Sequence, residues 1–143
     1  MLKQRIEYTD FDGEKRSEDF YFNFTEAEIQ ELNLKTPGGI EARLQKIIQS
    51  KDQAQIVEYF KSLILDSYGE KSDDGRKFIK VRDGKRLSEE FEQTAAYNKL
   101  FMLLSTDTEA AIKFVNGIIP NPDGLDLEKE VRKQIEGSVD ENA

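Results

Sequence analysis

The chain contains no cysteine and no histidine in 143 residues. Without cysteine there is no disulfide, no thiolate metal site and no sulfur nucleophile, a composition in keeping with a reducing compartment. Without histidine the Ser-His-Asp triad and imidazole zinc sites are excluded, and the commonest general base is missing. Positive charge is also in short supply, with 21 Lys and Arg against 29 Asp and Glu, a formal net charge of -8 and a pI near 4.7. Phosphate affinity rests on clustered cations that release counterions, so this balance speaks against nucleic acid as a partner. No apolar run reaches the roughly 18 to 20 residues that cross a bilayer, and the opening MLKQRIEYTD holds no apolar signal core. A soluble intracellular protein with no membrane and no nucleic-acid partner is the expectation.

What remains for chemistry is carboxylates, lysines, serines, threonines and tyrosines. The acidic residues fall mostly on polar helix faces or in turns, where solvated carboxylates are the ordinary case. Asp10-Phe11-Asp12-Gly13 lacks the third ligand before the glycine and the glutamate at the twelfth position that an EF-hand loop requires. Gly38-Gly39 precedes a helix, but neither a P-loop lysine nor a GxGxxG pattern follows. The chain is therefore read as non-enzymatic, with no catalytic, cofactor-binding or metal residues.

Residues 2 to 9 and 16 to 24 alternate, with Leu2, Ile6 and Tyr8 on one face and Phe20, Phe22 and Phe24 on one face. A two-residue Asp12-Gly13 turn would pair positions whose numbers sum to 25 and set the phenylalanines opposite Ile6 and Tyr8. Parity therefore predicts a loop of three or five residues, or a bulge. Thr25 and Glu28 have capping-box spacing and start a short helix to about Leu34, which Thr36-Pro37-Gly38-Gly39 breaks. Ile40, Leu44, Ile47 and Ile48 stripe a helix ending near Ser50, and a second helix from about 53 to 68 follows the Lys51-Asp52 joint. These two form an antiparallel pair. From 70 to 86 only Phe78, Ile79 and Val81 are apolar, and a short β or loop insertion is expected.

The stretch from Leu87 to Pro120 carries the greatest apolar density. It reads as one helix over 88 to 105, with Ser88 as N-cap, and another over 107 to 118 opened by a Thr106-Glu109 capping box. The first of these is apolar nearly all round, which means burial on all sides or one face kept for a partner. The fold class is thus mainly α, with about five helices, an N-terminal β-hairpin (2–24) and the insertion near 70–86. One α-rich domain spans 1–120, and 121–143 form an acidic extension whose Leu127, Val131 and Ile135 make a marginal helix.

YTDFDG at 8–13, FYFNFTEAE at 20–28, SYGEKSDDGRKFIK at 67–80, LSEEFEQTAAYNKLFMLLSTDTEAA at 87–111 and FVNGIIP at 114–120 together make a chain that resembles the tail assembly chaperones of long-tailed bacteriophages. The resemblance implies a small, mostly helical protein of the host cytoplasm, absent from the mature virion. It would accompany the apolar tape-measure protein, keep it soluble and help recruit tail-tube subunits, without ATP. A longer frameshifted form of the same protein is common in such families.

A holder of an apolar helical client needs apolar helix surface, and Phe101, Met102, Leu103, Phe114 and Ile118 are the candidates for client contact, with core packing the competing role for each. Arg76, Lys77, Lys80, Arg82, Lys85 and Arg86 form a basic island that reads either as a solvated hairpin or as a docking patch for an acidic partner. Two other functions fit parts of the sequence. One is a structural tail or head-tail connector protein retained in the virion, pairing through the Phe20 to Phe24 hairpin. The other is an acidic mimic of nucleic acid, which the basic island argues against.

Overall fold

Even-numbered side chains of the N-terminal segment share one face, and the sheet is built on that alternation. The computed structural model describes residues 1–120; the helix expected within 121–143 lies outside the described residues. Strands β1 (Leu2–Thr9) and β2 (Lys15–Phe22) pair antiparallel with Leu2 opposite Phe22 and Tyr8 opposite Arg16. The paired numbers sum to 24 throughout, leaving a five-residue loop, one of the odd lengths that parity allows. Asp10 organises it: its Oδ1 accepts the backbone N–H groups of Asp12 and Glu14 at 2.9 Å each, and Arg16 donates to its Oδ2. Gly13, at φ +85°, supplies the left-handed backbone that closes the turn.

Strand β3 (Tyr68–Lys71) pairs with the far side of β2 through Tyr21 and Phe22, and β4 (Phe78–Ile79) pairs with β3, giving the order β1-β2-β3-β4. A separate hairpin joins β5 (Val81–Arg82) to β6 (Lys85–Arg86). Its two turn residues, Asp83 and Gly84, both have positive φ, 54° and 77°, as a two-residue Asp-Gly turn demands.

Helix α1 (Glu26–Lys35) opens on the expected capping box, with Thr25 Oγ1 accepting from Glu28 N at 3.1 Å and Glu28 Oε1 from Thr25 N at 2.9 Å. After the Pro37-Gly38-Gly39 break come α2 (Gly39–Ser50) and α3 (Gln53–Ser67), divided at Lys51 and Asp52. Asp52 caps α3 by accepting from Ala54 N and Gln55 N.

The single helix expected over 88–105 is in fact two, α4 (Leu87–Phe91) and α5 (Ala95–Thr106). The Thr94 hydroxyl donates to Phe91 O at 2.7 Å and accepts from Tyr97 N at 3.1 Å, ending one helix and capping the next. The expected caps move as well. Ser88 is buried within α4 rather than preceding it, and Thr106 closes α5 by donating to Met102 O. Asp107 caps α6 (Thr108–Ile118) by accepting from Ala110 N, because aspartate at the junction is as good a cap as threonine and stands one residue nearer the start. With six helices and six strands among the described residues, the fold is mixed α/β rather than mainly α. The difference lies in the strands: Tyr68, expected to end the helix, opens β3, and the insertion supplies three further short strands.

Helices α5 and α6 cover the even face of the sheet. Ile6, Phe22 and Phe24 meet Leu100, Leu104, Phe114, Val115 and Ile118 in one buried cluster. Phe91 stacks on Tyr68 with centroids 4.1 Å apart and planes 4° apart, and Phe22 meets the Phe114 ring edge-on at 5.1 Å. Gly117 lets α6 close onto β1, since a Cβ there would lie 2.9 Å from Leu2 Cδ1.

Candidate docking surface

Among the described residues, helix α5 is held by one side. Ala96, Leu100 and Leu104 are buried at the spacing of a single helical face, while Met102 and Leu103 remain 51% and 41% exposed. Phe101 lies between these extremes, half-buried, with its ring 6.0 Å from that of Tyr97. Two adjacent large apolar side chains on a helix rooted in the core make a firm, greasy step on the surface.

Phe114 and Ile118, the other two residues expected to touch a client, do not belong to this surface. They are 1% and 0% exposed and fill the space between α6 and the sheet, so a client reaches them only by opening the core. Both sit on the stripe that α6 must bury to fold, and the sequence pattern of a buried stripe is the same as that of a docking stripe. Phe91 is likewise 2% exposed and belongs to the aromatic cluster across the Thr94 break, so it shares no face with Met102.

The basic island meets carboxylates of its own chain. Lys80 Nζ lies 2.7 Å from Glu28 Oε2 and 4.7 Å from the Phe24 ring centroid; Arg82 pairs with Glu70 at 2.9 Å and Arg86 with Asp66 at 3.3 Å. Arg76 stands 4.0 Å from Asp74, while Lys77 and Lys85 are exposed. Partial burial pushes the Glu28 carboxyl up, but the Lys80 ammonium and the Thr25 hydrogen bonds outweigh it and hold the carboxyl below its ordinary value. The island therefore ties the insertion to α1 and α3. Much of its charge is spent internally.

Two features were not singled out by sequence reasoning. Phe11, at the hairpin tip, is 85% exposed, the consequence of a loop whose backbone is fixed by Asp10. A groove of about 600 Å³ runs where Tyr8 and Lys15 of the hairpin face Ala95, Asn98 and Lys99 of α5. Its only sequence signal is a lysine one turn before an apolar pair, a pattern too common to notice before the hairpin is placed beside it.

Among the described residues no group of three or more acidic, cysteine or histidine side chains is placed to hold a metal ion. No described helix is long and apolar enough to cross a membrane. No curated protein and no solved structure matches the chain. Over residues 1–142 the chain matches the family described as phage tail assembly chaperone, and it belongs to that family.

Proposed function

We propose that the protein binds the tape-measure protein of its phage through the outer face of α5, keeps that client soluble, and helps gather tail-tube subunits around it in the host cytoplasm. The observation that carries this reading is the paired exposure of Met102 and Leu103 on a helix whose other side is locked into the core. Phe101 flanks the pair. Burying such side chains against an apolar helix contributes about 25 cal/mol per Å² of area removed from water, so holding needs no nucleotide. The chain is released before the virion is complete, and a longer frameshifted form would add further contacts after Pro120.

Co-expression with the tape-measure protein tests the proposal. The client should move from the insoluble to the soluble fraction, and Leu103→Asp should abolish that effect while leaving the chain folded. A client equally insoluble with and without the chain would defeat the reading.

A second reading, a connector retained in the virion, draws on the outer edge of β1, which ends the sheet. It no longer runs through the Phe20 to Phe24 segment, because β2 lies between β1 and β3 and Phe22 and Phe24 are buried. Mass spectrometry of purified particles separates the two: a stoichiometric amount of the chain favours the connector.

A further inference from the structure

The groove between the hairpin and α5 adds to the proposed holding function, on which this section rests, a description of the segment held. Its charge runs against that of the whole chain: among the described residues, Lys15, Arg16 and Lys99 line it, with Glu7 as the one anionic side chain, in a protein of net charge -8. Arg16 is tied to Asp10, whereas Lys15 and Lys99 enter no ion pair among the described residues. Lys99 also stands three and four residues before Met102 and Leu103, so the ammonium and the two exposed apolar side chains are neighbours along α5, about 5–6 Å apart at Cβ. From the hairpin outward, the surface thus presents cations first and an apolar step one helical turn later.

We infer that this face seats an apolar helix bearing a carboxylate about one turn from its apolar anchor, with the carboxylate toward the hairpin. The apolar side chains supply adhesion, and the cations fix which way round the helix lies, since charge across an interface sets register and partner choice more than raw affinity. A helix with a lysine at the same place puts like charges together. Lying the other way round, an acidic helix sets its carboxylate beside Met102 and Leu103 and leaves Lys99 unmatched.

Two synthetic helical peptides with the same leucine stripe, one with glutamate and one with lysine a turn away from it, test this against the full chain by fluorescence anisotropy. The glutamate peptide should bind about tenfold more tightly at low salt, with the gap narrowing as salt rises. Lys99→Glu should reverse the preference, and Leu103→Asp should weaken both peptides. Lys99 is exposed, and an unchanged thermal midpoint verifies that its variant folds. Equal binding of the two peptides, no binding of either, or a preference untouched by Lys99→Glu overturns the inference. The co-expression assay keeps the two ideas apart: a client lost with Leu103→Asp but retained with Lys99→Glu leaves the holding function standing and removes the charged register.

Discussion

Single residues fix the tightest contacts in this fold. A Cβ at Gly69 would lie 2.5 Å from Phe78 Cε1 and 2.7 Å from the Ile79 carbonyl oxygen, so β3 must shift away from β4 to accept any side chain. Gly69→Ala should destabilise the protein by about 1–3 kcal/mol, measured by urea unfolding, as overpacking does elsewhere. Glu28 gives a pH-dependent counterpart. Its carboxyl is held below the ordinary value, so its contribution is complete above the unfolded value of about 4.3 and is lost as pH falls through the lowered folded one. Lys80→Met should flatten that acid limb of the stability profile and, because the pair is partly exposed, lower stability at neutral pH by only about 0.5–1 kcal/mol. Phe11, in contrast, touches little, and Phe11→Ser should change stability by less than about 0.5 kcal/mol in the same measurement.

At the scale of elements, capping decides where helices begin. Asp107→Ala should lower stability by about 1 kcal/mol, whereas Thr106→Ala, whose hydroxyl serves only the end of α5, should cost a few tenths. Comparing the two thermal midpoints tests which residue opens α6. The same junction shows how far a sequence can be read. Alternation and parity gave the β1–β2 hairpin and an odd loop, of which five residues is the length found, because register leaves little freedom once one face is buried. The boundaries of α1, α2 and α3 followed from Thr25, Gly38-Gly39 and Lys51-Asp52, where local chemistry and fold agree. The break at Thr94 was hidden, since a single threonine also sits comfortably on a polar helix face; here its hydroxyl caps α5 while Phe91 joins the sheet's aromatic cluster, and the two together make the bend favourable. A short β insertion near 70–86 was legible, but its start at Tyr68 was not, because pairing with Tyr21 and Phe22, more than forty positions earlier, sets that boundary. Of the five apolar site candidates, Phe101, Met102 and Leu103 keep surface, while Phe114 and Ile118 do not, a division that depends on which neighbour each helix face meets.

For the molecule as a whole, the core and the docking face are separable. Phe114→Ala should cost about 3–5 kcal/mol and bring the protein close to unfolding, because the ring is fully enclosed by α6 and the sheet. Leu103→Asp should lower stability by about 1–2 kcal/mol, since part of its side chain is covered and an anion stands in the last turn of α5, while removing client solubilisation altogether; Leu103→Ser, with the smaller cost, checks that the loss of holding is not a loss of fold. The close approach of Gly117 to Leu2, together with the hydrogen bond from Phe24 N to Ile118 O, has a practical corollary. The two ends of the described fold leave from one pole, and the Phe11 loop marks the opposite one. A fluorophore or affinity handle placed at Met1 therefore shares its neighbourhood with the end of α6, and a reporter meant to watch the groove fill belongs on the hairpin tip.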